Sequence, residues 1–166
     1  KELEANKSLR TAIRAAIDNG LPTYAECGGL MYLARTIQWN GESREMVGCI
    51  DTDIIMEKRP QGRGYVQLEE TENSLWPKPP SWKNDQANNN RVINAHEFHY
   101  SRFNNIGNDV QFAFHVKRGM GINGESDGYV YNNMLANYTH QRNTWKNPWA
   151  QRFIDFARSH KIQPAT

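Results

Sequence analysis

The stretch Leu21–Leu33, L-P-T-Y-A-E-C-G-G-L-M-Y-L, constrains this chain more than any other. A short apolar run meets Cys27, then two glycines, then apolar residues at helical spacing. Such a pattern places a side chain on a tight turn between a strand and a helix, beside the unpaired N–H groups and positive dipole end of that helix. Both features favour a thiolate at Cys27. Gly28 and Gly29 remove side chains where the backbone bends and where a substrate approaches closely. The competing reading is a buried, inert cysteine before an ordinary glycine turn, and this segment alone leaves the two level.

At 166 residues the chain is sized for one domain, spanning 1–166, with a single sizeable core. The 20 basic and 18 acidic side chains are scattered and leave a net charge of +2, with no basic block of the kind that tracks a phosphate backbone. No nucleic-acid partner is expected. Apolar runs are far shorter than the roughly 20 residues a membrane span needs, and K-E-L-E-A-N-K-S is too charged for a signal peptide. A soluble, cytoplasmic protein with no membrane partner follows. Cys27 and Cys49 are the only cysteines, without C-x-x-C or cysteine–histidine spacing, so no metal site is expected and both are read as free thiols.

Apolar residues at near-helical spacing predict a helix over Lys1–Asn19, stopped by Asn19-Gly20. Leu21–Glu26 reads as a strand and Leu30–Ile37 as a helix, with Leu30, Leu33, Ala34 and Ile37 on one face. From Met46 to Met56 the chain is β-rich, Gly64–Glu69 and Gln111–Lys117 alternate as strands, and Gly119–Gly128 is a glycine-rich turn region. Ser74–Asn90, with its prolines and asparagines, reads as an exposed, mobile loop. Trp149–His160 closes the chain as an amphipathic helix. Helices alternating with strands in this way predict an α/β fold: a mostly parallel sheet flanked by helices, with Cys27 at the ligand-binding edge.

A cysteine nucleophile needs a base, and histidine titrates in the right range. His115 and His160 read as structural. His96 and His99, in A-H-E-F-H-Y-S, point to opposite faces of an extended segment, so at most one reaches a given pocket. His140 closes L-A-N-Y-T-H. Spacing does not choose among His96, His99 and His140.

The strings Y-A-E-C-G-G-L-M-Y-L, R-P-Q-G-R-G-Y-V, A-H-E-F-H-Y-S, R-G-M-G-I-N-G-E-S-D-G and L-A-N-Y-T-H, in that order from Tyr24 to His140, resemble the glutaminase domain of the cobyrinic acid a,c-diamide synthase family. The resemblance implies the flavodoxin-like fold of class I glutamine amidotransferases, here N-terminally incomplete. It also implies a reaction in which the cysteine attacks the side-chain amide of glutamine, forms a glutamyl thioester and releases ammonia to a separate ATP-dependent site. The family's cysteine falls on Cys27 and its histidine on His140, a catalytic dyad. Within the family the sequence looks most like the branch that amidates sirohaem.

The departures from related patterns are specific. Where many related glutaminases carry a glutamate two residues beyond the histidine, this chain has Arg142, so a triad of that type is absent. Met31 stands where a substrate-holding glutamine is common, and Met120 where R-G-H-G is common. Glutamine is therefore expected to be held by Arg63, pairing with its α-carboxylate between Gly62 and Gly64, with His96 and His99 as pocket wall or channel. Family members also carry an upstream G-G-x-P-E turn that helps build the oxyanion hole, and a P-loop domain that binds ATP and Mg2+ beside the tetrapyrrole acceptor. Neither motif lies in these residues, and losing an oxyanion donor costs a factor of about 100 to 1,000 in rate. The expectation is a fragment that is weak or inactive alone and holds no cofactor itself. The alternative is an interaction or regulatory domain that keeps the fold without catalysis.

Overall fold

The computed structural model describes residues 1–83, 91–107 and 109–160. A one-turn helix, α1 (Glu2–Ala5), leads into α2 (Lys7–Asp18), where the Asn6 side chain accepts the Leu9 N–H at 3.2 Å and caps the helix. The helix stops where Gly20 takes φ 83°. Next come β1 (Thr23–Glu26) and a short helix, α3 (Gly28–Leu33). The helix expected to run to Ile37 ends at Leu33 instead, and Ala34–Trp39 forms β2. Thr36 and Ile37 are β-branched, and pairing with two neighbouring strands outweighs a helical pattern only two turns long.

The remaining strands are β3 (Glu42–Glu45), β4 (Ile50–Met56), β5 (Gly62–Glu70), β6 (Val92–His99), β7 (Ser101–Asn104), β8 (Gln111–Arg118), β9 (Ser126–Tyr131), β10 (Met134–Asn137) and β11 (His140–Gln141). The helices α4 (Pro80–Lys83) and α5 (Trp149–Ser159) complete the elements. Seven strands form one sheet in the order β1-β10-β9-β8-β5-β6-β11, and β3-β2-β4-β7 form a second.

The expected α/β plan of a large sheet with flanking helices is present, but its strand directions correct the expectation of a mostly parallel sheet. Among the described residues β1–β10 and β2–β4 pair in parallel, and every other ladder is antiparallel. Parallel neighbours need a crossover of a dozen or more residues. Asn132 and Asn133 alone join β9 to β10, which forces a hairpin, with Asn132 at φ 49°.

Two apolar clusters fill the interior. One gathers Ile17, Leu30, Ile50, Ile54, Met134 and Tyr138; the other Val66, Leu68, Ile93, Phe114, Leu135 and Phe156. The second reaches into the segment expected to be an exposed loop: Trp76 is 4% exposed, in edge contact with Tyr24 and stacked on Trp149. Arg152 of α5 clamps the same segment, donating to the carbonyls of Trp76 and Pro77 and pairing with Glu70 at 2.7 Å. The rest of that expectation, residues 84–90, lies outside the described residues. No helix among the described residues is long and apolar enough to cross a membrane.

Candidate active site

Cys27 sits between β1 and α3 at φ 47° and ψ −102°, a strained conformation for a residue with a side chain. Its N–H donates to the Asn137 carbonyl at 2.8 Å, which extends the β1–β10 ladder by one bond into the turn. The expected elbow is therefore built from strand pairing on one side and a helix start on the other. A Cβ on Gly29 would meet that of Ala25 at 3.3 Å, so Gly29 lets α3 close on β1, whereas the space beside Gly28 is open. Burial pushes the Cys27 thiol above its ordinary value; the Gly28 N–H pulls it back and the Glu26 carboxylate adds to the rise. This balance runs against the expected thiolate, and α3, which starts just after Cys27, has only six residues. A base must take the proton.

Only Tyr138 and Thr139 separate His140 from β10, yet β10 and β11 stand near opposite ends of the seven-strand order. The sheet curls until its first and last strands meet here. Glu26, at the end of β1, accepts from the Gln141 N–H at 3.0 Å through Oε1 and stands 3.0 Å from His140 Nδ1 through Oε2. The Tyr24 hydroxyl donates to the same Oε1. Tyr24 is itself held among the rings of Trp76, Trp149 and Phe153. Beneath His140, the fully buried Asp127 accepts the N–H groups of Tyr138 and Thr139 at 3.0 and 3.1 Å and so fixes the link between β10 and β11.

The other predicted residues fall into two groups. Tyr65 pairs with His96 and His96 with His140 across neighbouring strands, so the three share one sheet face. The rings of His96 and His140 stack at 5.0 Å. Arg63 is on that face too, exposed, with its guanidinium 6.0 Å from the centre of the Phe98 ring. Gly64, next to it, takes φ 121°. His99 is on the opposite, buried face, as its spacing from His96 requires. Its Nδ1 lies 2.8 Å from the Ser101 carbonyl, its Nε2 3.4 Å from Glu97, and its ring stacks on Tyr138 at 3.9 Å.

Glu97 completes that buried pair. Burial pushes its carboxyl up, but His99 and the N–H groups of Met120 and Gly121, at 2.7 and 2.8 Å, together hold it below its ordinary value. The Met120 contact comes from the backbone, so methionine in R-G-M-G leaves it intact. Met31 packs inward, with its sulfur 3.0 Å from Ser101 Oγ. Arg142 is exposed. Spacing did not point to Glu26 as the partner of His140, because the contact spans 114 positions and depends on the curl of the sheet.

Known structures share this fold. The chain matches a glutamine amidotransferase crystal structure with a TM-score of 0.62 at 17% identity, covering 95% of this chain and 72% of that one. It matches the structure of PurLQS from Thermotoga maritima with the same TM-score, 0.62, at 12% identity, covering 95% and 70%. The fold is that of the glutamine amidotransferases.

A family model for the CobB/CobQ-like glutamine amidotransferase domain matches residues 1–147, and the chain belongs to that family. It is 37% identical over 158 residues to the cobyrinate a,c-diamide synthase of Magnetococcus marinus, covering 95% of this chain and 32% of that protein. Against the cobyrinate a,c-diamide synthase of Archaeoglobus fulgidus the identity is 36% over 159 residues, covering 96% and 32%. The chain thus spans about a third of the length of the curated relatives it matches.

Proposed function

We propose that this chain is the glutaminase of an amidotransferase of the cobyrinate a,c-diamide synthase type. Its reaction starts with neutral Cys27. His140 takes the thiol proton as the sulfur attacks the amide carbon of glutamine, and the same proton passes to the departing nitrogen, which leaves as ammonia. The glutamyl thioester is then cleaved by water, whose proton His140 accepts and returns to the sulfur, releasing glutamate. The observation that carries this reading is the strained elbow at Cys27 on the strand whose last residue, Glu26, holds His140.

In this reading Arg63 takes the substrate α-carboxylate with its two-donor fork, and His96 walls the pocket beside the base. The ammonia goes to a side-chain carboxylate of a tetrapyrrole, cobyrinate or sirohaem, activated by ATP and Mg2+ on a separate synthetase domain. The sequence contains no G-x-x-x-x-G-K-[ST] loop, and no three His, Cys, Asp or Glu residues among those described are grouped to hold a metal ion.

The test is glutamine labelled with 15N in its side-chain amide, supplied to the natural protein that carries this chain. Release of one glutamate per labelled nitrogen liberated is expected. Absence of glutamate release under conditions where the protein is folded and ATP is present would overturn the reading.

A further inference from the structure

The chain has an arginine where related glutaminases orient their histidine with a glutamate, yet His140 is not left without a carboxylate. We propose that Glu26, the residue before the nucleophile, is the positioning residue for His140, reaching it from the neighbouring strand. This inference rests on the glutaminase reading above.

Three observations carry it. First, Oε2 of Glu26 stands 3.0 Å from His140 Nδ1, within hydrogen-bond reach. A carboxylate only accepts, so this contact places the ring proton on Nδ1 and leaves Nε2 with a free lone pair, the form a general base needs. Second, the carboxylate is itself held. Its Oε1 accepts from the Gln141 backbone and from Tyr24, and Tyr24 is packed among three aromatic rings. Gln141 in turn is tied down at both ends, its side-chain carbonyl accepting from Asn147 Nδ2 at 3.0 Å and its backbone carbonyl from Trp149 Nε1 at 3.1 Å. Third, His96 stacks on the ring at 5.0 Å, and Asp127 holds the backbone N–H groups of the two residues before it.

A surface ion pair would be expected to look different. Glu26 and His140 are 24% and 32% exposed in their side chains, and the acceptor is anchored by a second element of the fold. The arrangement also ties nucleophile and base together. Glu26 and Cys27 are consecutive, so a single strand end sets both the sulfur and the orientation of the imidazole, and pairing of β1 with β10 sets the register of both against His140.

The experiment uses the natural protein with Glu26→Gln, Glu26→Asp and His140→Ala. Two quantities are read: glutamine hydrolysis split into kcat and KM, and the 15N shifts of labelled histidine, with His140 assigned by its loss in His140→Ala. With Glu26→Gln, kcat is expected to fall about 100-fold or more at a KM within about twofold of wild type, because the tautomer is no longer held. Glu26→Asp should restore part of the rate. Neutral wild-type His140, wherever it is populated, should carry its proton on Nδ1, a preference lost in Glu26→Gln.

A Glu26→Gln protein with kcat within about threefold of wild type would overturn the positioning role and leave the glutaminase reading standing. If the wild type itself hydrolyses no glutamine, the glutaminase reading fails, and the 15N shifts decide the rest. A tautomer that changes in Glu26→Gln upholds Glu26 as the group orienting His140; an unchanged one overturns it.

Discussion

Replacing Cys27 by alanine in the natural protein is expected to lower glutamine-dependent turnover by about 10⁴-fold or more while leaving turnover fed by ammonium salts near its original level. The loss is large because the thioester has no other sulfur to form on. Cys49 is 4% exposed, and burial pushes its thiol up to about 11, so it is neither reachable nor ionised near neutral pH. Ammonia bypasses the loss because the proposed synthetase step uses free ammonia and never meets Cys27. Steady-state assays with each nitrogen source check both halves. Equal loss with both sources would mean that Cys27 supports the fold and not the chemistry.

The second large effect is on stability. Arg152 and Glu70 pair at 2.7 Å with side chains 3% and 8% exposed, and Arg152 also donates to the carbonyls of Trp76 and Pro77. Its guanidinium lies 4.6 Å from the centre of the Trp82 ring as well. Arg152→Ala removes four interactions at once and leaves a carboxylate buried without its partner, so a loss of about 3–5 kcal/mol is expected. Replacing both members by apolar residues, Arg152→Met with Glu70→Leu, should recover part of that loss, because the stranded charge is gone. Urea denaturation midpoints at unchanged slope measure both. By contrast, the exposed Arg35–Asp51 pair should contribute less than about 1 kcal/mol.

The features that were legible in the sequence are those set by local physics. A cysteine between an apolar strand and two glycines can adopt an elbow, and the elbow is there. The alternation in V-I-N-A-H-E-F-H places His96 and His99 on opposite faces, and the structure exposes one and buries the other. The features that were not legible depend on which segments meet. Strand direction follows from connection length and pairing, so a helix–strand alternation alone suggested more parallel neighbours than exist. The apolar spacing of Leu30, Leu33, Ala34 and Ile37 fits a helix, but the ladder between β2 and β4 takes its second half. Trp76 lies in a proline-rich run that reads as a surface loop, and its burial depends on Tyr24 of β1 and on Trp149, Arg152 and Phe153 of α5, which are distant in sequence. Within the candidate site, Cys27 and His140 were visible through motifs. Glu26 was hidden in plain view beside Cys27, because its partner is reached only when the sheet curls.

The central claim is that Cys27 and His140 form one glutamine-cleaving site, and its most direct test is mass spectrometry of the natural protein after exposure to 6-diazo-5-oxonorleucine. Attack by Cys27 on this glutamine-like electrophile expels dinitrogen and leaves a covalent adduct. The account predicts one adduct, on Cys27, formed more slowly in His140→Ala and absent in Cys27→Ala. No adduct on Cys27 of the folded wild-type protein, or one whose rate ignores His140, would contradict it.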